Sequence, residues 1–383
     1  MASKLQTSNE RIVIITSPRG SAADDSVSSI SRLANCINEL LSKPEEITTK
    51  KELVIAGGWT FAKDTTDVLQ AKFGKLDLES AVDTETDEPL RTGDLSRARS
   101  QSSAAQKNTL QKHELEWSLA ICFIKSILEK IQGLRSLEWE TDLPFSKEIW
   151  PVIPDNIQKL SLNMFVPDGE DLDFNEPHPD YFTHDDLMNL GHFQHLKSLR
   201  IYNMADSFQS ILWEAVWKNP GLITLELGMR DNPITRDSDN AGKPMPVIDA
   251  NWKYNAKRVA TDTYRGREGA GMLHHLHGHG EYLDHVAISK ARNAVMYSMG
   301  ELKSMPMMTL RLSNFVVDDT SFSKYFDGLR KIVFCQNCVD AGFVLPENLK
   351  DKVHIFTRAS GLGELIDGGE TELEVKMVGE EAA

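Results

Sequence analysis

Cysteine is scarce in this chain: Cys36, Cys122, Cys335 and Cys338 are the only four among 383 residues. A disulfide-stapled secreted fold is thereby excluded, and a reducing compartment is expected. Long apolar runs are absent as well. Nothing approaches the ~20 apolar residues of a membrane span. The polar opening Met1 to Arg11 and the short run Ile12–Ile15 do not make a secretory leader, so a cytoplasmic or nuclear location is expected, with no membrane partner. Positive charge is in deficit, with 42 Lys and Arg against 57 Asp and Glu and a formal net charge of −15. That balance argues against nonspecific binding to nucleic acid or anionic lipid. No Gly-x-Ser-x-Gly elbow, His-Glu-x-x-His helix or Walker-type loop occurs. The expectation is therefore a non-enzyme with no cofactor and no small-molecule substrate.

What the chain does have is repetition. Leu-x-x-Leu-x-Leu, or an apolar copy of it, recurs six times: Leu134-Leu137-Trp139, Ile157-Leu160-Leu162, Leu196-Leu199-Ile201, Leu222-Leu225-Leu227, Met307-Leu310-Leu312 and Leu329-Ile332-Phe334. The fourth-position residues are separated by 23 residues (Leu137 to Leu160), 26 (Leu199 to Leu225) and 22 (Leu310 to Ile332). Repeats of ~20–29 residues suit one strand and one returning helix. Two intervals are longer, 39 residues from Leu160 to Leu199 and 85 from Leu225 to Leu310. They carry polar stretches that read as rim insertions over 167–185 and 229–285. Ile12–Ile15, Leu53–Ile55 and Val353–Phe356 look like further strands.

Helical spacing fills the intervals. Ser28–Leu41 places Ile30, Leu33, Ile37 and Leu41 on one face, with Pro44 beyond it. Leu110–Ile131 ends before Gly133, Asp206–Trp217 before Asn219-Pro220-Gly221, and Ile288–Leu302 leads into Met305–Leu312. The order predicts an α/β solenoid, a horseshoe with parallel strands on its concave face and helices outside. Its parts are expected to be degenerate repeats over 1–76, a flexible loop over 77–109, the main solenoid over 110–357 and an acidic tail over 358–383.

The segment Leu329 to Val339, with Asn337 and Val339 in place, resembles the full leucine-rich-repeat consensus. In that family the asparagine hydrogen-bonds the turn after the strand, which a buried turn requires. Asp142, Phe165, Met204, Arg230 and Phe315 stand at the equivalent place in the other copies. The array is thus expected to be irregular, without a regular asparagine ladder. Leu137–Trp150, a Leu-Glu-Trp strand followed by Leu-Pro and Ile-Trp, resembles the leucine-rich domains of fungal F-box-type proteins. The resemblance covers roughly Leu110 to Phe356 and implies substrate capture for a ubiquitin ligase. No F-box is evident; Leu143-Pro144 with Glu148-Ile149 is only faintly similar to one.

On the expected concave face, alternate strand positions project a polar row. The candidate binding residues are Arg135, Glu138, Lys159, Arg200, Glu226, Arg311 and Lys331, with Ser161, Ser198, Thr224, Thr309 and Val333 between them. Their mixed charge suits a protein partner. The rival expectation is a metal-dependent enzyme or metal-binding protein using the His-rich segment 274–285. His275, His277, His279 and His285, helped by Asp284, carry the imidazoles such a site needs. A solvated surface loop is the plainer reading of that segment. Cys335-x-x-Cys338 has knuckle spacing but no second pair, and reads as two packed thiols. Lys253, Lys257, Arg258, Arg265 and Arg267, interleaved with Trp252, Tyr254 and Tyr264, form a basic-aromatic stretch, read as a solvated insertion. Arg97-Ala-Arg99-Ser100-Gln-Ser102 resembles a basophilic kinase site.

Overall fold

The computed structural model describes residues 5–8, 10–17, 28–62, 100–165, 184–204, 208–233, 245–254, 283–300, 302, 304–319, 322, 324–359 and 371–372. Thirteen strands are found among them: β1 (Leu5–Thr7), β2 (Arg11–Ile15), β3 (Glu52–Gly57), β4 (Ser136–Thr141), β5 (Lys159–Asn163), β6 (Ser198–Met204), β7 (Thr224–Met229), β8 (Thr309–Ser313), β9 (Val316–Val317), β10 (Lys331–Phe334), β11 (Val339–Asp340), β12 (His354–Thr357) and β13 (Thr371–Glu372). The helices are α1 (Ser29–Leu41), α2 (Pro44–Thr48), α3 (Ser100–Leu128), α4 (His184–Leu187), α5 (Gln209–Lys218), α6 (His285–Met299) and α7 (Glu347–Lys350).

Nine strands run parallel in chain order, β2-β3-β4-β5-β6-β7-β8-β10-β12, with β1 and β13 pairing antiparallel at the two edges. The sheet is open and does not close into a barrel, and helical segments return between its strands: a solenoid-like α/β arrangement. One register runs through all nine parallel strands. Ile12, Leu53, Leu137, Leu160, Leu199, Leu225, Leu310, Ile332 and Ile355 stand side by side. Every one of them is fully buried, at 0% exposure. A second row two residues on, from Ile14 through Trp139, Ile201 and Leu227 to Phe334, is buried with it. Because side chains alternate along a strand, both rows share one face and meet the helices there. Each such side chain contributes about 1.5–3 kcal/mol of burial.

Local signals place the helices. Asn219 stops α5: its Oδ1 accepts from Leu196 N–H at 2.7 Å and its Nδ2 donates to Ala215 and Phe193 carbonyls at 2.7 and 2.9 Å. The residue that breaks the helix thus also pins the turn that leads into β6. Asp284 caps α6 by accepting from Val286 N–H at 2.7 Å, and Gly300 ends it with φ +88°. Trp139, Trp150, Trp213 and Trp217 all lie in the core.

Four findings amend the sequence expectations. The backbone is helical from Ser100, so the expected loop over 77–109 gives way to helix in its last ten positions; residues 77–99 lie outside the described residues. Within the expected tail, Thr371–Glu372 pairs with Phe356–Thr357. The expected rim insertion 229–285 sends residues 245–254 back into the core. Ile248 N–H donates to Cys338 O at 2.7 Å, Trp252 Nε1 donates to Asp340 at 3.0 Å, and Leu345 N–H donates to the Tyr254 hydroxyl. Trp252 and Tyr254 are therefore buried aromatics rather than a solvated patch, because pairing at Val247 with Val339 carries them inward. Finally, asparagines do form ladders, in two short runs. Asn203 donates to Asn163 Oδ1 at 2.8 Å and Asn163 to Thr141 O at 3.0 Å. Asn337 donates to Asn314 Oδ1 at 3.2 Å and Asn314 to Met229 O at 2.7 Å. The sequence pattern hides these ladders because the asparagine falls one, two or three residues after the last apolar position. Asn203, Asn314 and Asn337 all take positive φ (58°, 60° and 55°), a conformation asparagine tolerates well.

Candidate functional site: the open face of the sheet

Alternation leaves one face of the nine-stranded sheet opposite the helices. Its central row, again in register, reads Val13, Val54, Glu138, Ser161, Arg200, Glu226, Arg311, Val333 and Phe356. The row two residues earlier holds Arg11, Glu52, Ser136, Lys159, Ser198, Thr224, Thr309, Lys331 and His354. Six of the seven expected binding residues fall on these two rows. Arg135 does not: it precedes β4, and its carbonyl accepts from Gln158 and Lys159 N–H at 2.8 and 2.9 Å, while Ser136 takes the place beside Lys159. The slip arises because the apolar triplet alone does not say where strand pairing begins.

The charges on this face pair with one another. Glu138 meets Lys159 at 2.5 Å and Arg11 at 3.6 Å. Arg200 holds Glu140 at 2.9 Å through Nη1 and Glu226 at 2.8 Å through Nε, and Glu226 also takes Arg311 Nη1 at 2.5 Å. Two of these pairs skip a strand. Arg11 reaches from β2 to β4 across Val54, and Arg200 from β6 to β4 across Ser161 and Asn163. The bridged residues are short and nearly sealed, Ser161 and Asn163 at 1% exposure and Val54 at 4%. Strands two apart are separated by roughly 9.5 Å in a flat sheet, so such arches favour a sheet curved towards this face. Burial pulls the Arg200 pKa down, but the carboxylates of Glu226 and Glu140 outweigh it, leaving the guanidinium above its ordinary value. It stays charged.

Glu140, Arg11 and Arg358 were missed by the sequence reading. Glu140 lies one residue past the apolar triplet, and only the strand's true length, Ser136–Thr141, reveals it. Arg11 belongs to a strand with no Leu-x-x-Leu signature. Arg358 follows β12, where its N–H donates to Phe334 O at 2.9 Å and continues the ladder.

The other candidates separate cleanly. His275, His277 and His279 lie outside the described residues, as do Lys257, Arg258, Tyr264, Arg265, Arg267, Arg97 and Arg99. His285 is the first residue of α6, next to the capping Asp284, whose carboxyl is raised by burial and held back by the Val286 N–H. Among the described residues, no group of three or more His, Cys, Asp or Glu is arranged to hold a metal ion. Cys335 and Cys338 are buried free thiols; the Cys338 thiol donates to Leu312 O at 3.3 Å, and burial pushes its pKa far up. A thiol so held is a poor nucleophile or metal ligand. The Leu143 and Ile149 side chains, part of the faint F-box likeness, are wholly buried in the core. No described helix is long and apolar enough to cross a membrane. Compared with known protein families, curated proteins and solved structures, the chain matches none.

Proposed function

We propose that this chain is a protein-recognition scaffold of the leucine-rich-repeat type, with the open sheet face as its concave binding surface. One observation carries the reading: nine parallel strands in a single register present two continuous rows of mostly polar side chains on the face opposite the helices. A recognition surface gains from side chains that are already ordered, because immobilising each flexible one on binding costs about 0.5–1.5 kcal/mol. Here Glu138, Lys159, Arg200, Glu226 and Arg311 are tied to one another beforehand. Exposed ends such as Lys159, whose side chain is 50% exposed, remain for a partner to contact. By resemblance to fungal F-box-type proteins, the favoured partner class is a protein presented to a ubiquitin ligase.

The test is site-specific photo-crosslinking in the native cells, with the probe placed in turn at Lys159, Thr224 and Lys331 and at Lys43 on the outer layer. The same protein trapped from the three face positions and not from Lys43 supports the scaffold; recovery of ligase core subunits supports the ubiquitin link. Crosslinks confined to Lys43 would refute the assignment.

A further inference from the structure

One arginine stands apart from those on the open face. Arg11, Arg200 and Arg311 each hold a carboxylate. Arg292, in the middle of α6, holds none among the described residues. Its guanidinium lies instead between two aromatic side chains. It is 5.9 Å from the ring centre of Trp217, in the last turn of α5, and 5.7 Å from that of Tyr325, in the segment before β10. The two rings meet edge to face with centroids 5.7 Å apart, which holds the cation in one place. Of its nitrogens only Nη2 is engaged, donating to Leu302 O at 2.9 Å. Nε is sealed from water without a partner among the described residues, and Nη1 has none either but is not sealed. Beside the guanidinium stand two hydroxyls. Ser289, one turn earlier on the same helix, and Tyr325 are joined by a 2.7 Å hydrogen bond between Oγ and the phenol oxygen. Whichever of them donates, the other keeps an O–H with no acceptor among the described residues. Trp217 Nε1 already donates to Ile288 O at 3.4 Å.

We infer that Arg292, with the Ser289–Tyr325 hydroxyl pair, binds an oxyanion, the carboxylate or phosphate group of a ligand, on the helical side of the molecule. A guanidinium offers donors and no acceptor, and leaving a charged donor unsatisfied in a half-buried place is costly. The cation–π contacts offset the charge but take up no N–H. An acceptor-only group suits this corner better than water, which brings two protons of its own and needs partners for them. The planar fork of arginine matches two oxygens of a carboxylate or a phosphate, and the spare hydroxyl adds one further donor. Nonspecific anion binding is disfavoured by a net charge of −15, so a saturable response would come from these local groups. The site lies across the sheet from the open face, and the inference does not depend on the recognition reading.

The test titrates inorganic phosphate and, separately, acetate into the full chain at constant ionic strength and pH. Nitrogen–proton NMR follows the Arg292 Nε–H resonance, identified by its absence in Arg292→Lys. One or both anions move the resonance along a saturating curve, and chloride does not. Tyr325→Phe weakens that binding about five-fold, and Lys43→Ala leaves it unchanged. The bound anion also raises the thermal midpoint of the wild type, an effect that Arg292→Lys loses. Saturation by phosphate alone assigns the site to a phosphorylated ligand, and saturation by acetate alone to a carboxylate-bearing one. A guanidinium that serves packing only is indifferent to the anion. A resonance that stays still, or moves equally with chloride, therefore overturns the inference, as do equal curves for wild type and Tyr325→Phe. Either result leaves the open face and its crosslinking test untouched.

Discussion

Glu226→Gln isolates the ion-pair network from everything else on the sheet. The carboxylate is 11% exposed and receives Arg200 Nε at 2.8 Å and Arg311 Nη1 at 2.5 Å. Glutamine keeps the length and one acceptor oxygen but turns an amide donor towards the second guanidinium. A hydrogen bond to a charged group contributes about 1.5–3 kcal/mol when well shielded. Both guanidiniums are about a quarter exposed, at 26% and 23%, and Arg200 retains Glu140. Solvent and the remaining partner therefore recover part of the loss, and the net cost comes to about 1–3 kcal/mol. Glu52→Gln is the matched control: its contact with Arg11 is 3.8 Å long and its side chain 45% exposed, so it costs less than about 0.5 kcal/mol. Urea unfolding followed by circular dichroism reads both. A midpoint lowered for Glu226→Gln at unchanged slope, and barely moved for Glu52→Gln, is the expected pair of results. The double variant with Arg311→Met should show coupling of at least about 0.5 kcal/mol. If the two glutamine variants are indistinguishable, the face is not held in place by its charges and its preorganisation is refuted.

Leu199→Ala removes a side chain at 0% exposure from the middle of the shared row, and should cost about 2–5 kcal/mol in the same urea assay; a loss below about 1 kcal/mol would mean that the row is not core. Asp284→Asn keeps an oxygen for the Val286 N–H while removing a buried charge whose pKa is raised by desolvation. A raised folded pKa means that wild type is relatively best below the ordinary aspartate value of about 3.9 and loses that advantage as pH rises through the folded one. The variant should therefore melt higher than wild type at pH 7.5, with the gap closing towards pH 4; a gap that widens on acidification contradicts the burial. For the thiols, Ellman's reagent should find one reactive group in the native protein, the exposed Cys122, and four in urea. Rapid native modification of Cys338 would show that its strand end is not packed as described.

Much of this architecture is legible in the chain itself. Triplets such as Leu137-x-Trp139 and Leu225-x-Leu227 can bury both apolar positions only as strands on a common face, and their recurrence at 22 to 26 residues leaves room for little but a returning helix. Binary pattern and period are local properties, so they survive without any knowledge of neighbours. Six of the seven expected binding residues stand on the open face for the same reason. What local pattern does not carry is pairing. Which residue of β4 stands beside Lys159, whether Arg200 reaches past β5 to Glu140, and that Trp252 returns to meet Asp340 depend on contacts between segments far apart in sequence. The asparagine ladders make the distinction plain. The asparagines sit at one, two or three residues from their triplets, and only the three-dimensional turn, with positive φ at three of them, brings their amides into line. Sequence alone determined that a parallel sheet would form and which side of it would be apolar, because burial follows periodicity. Tertiary structure decided how the charges on the other side are shared out, because Coulomb and hydrogen-bond energies depend on distances that no repeat pattern specifies.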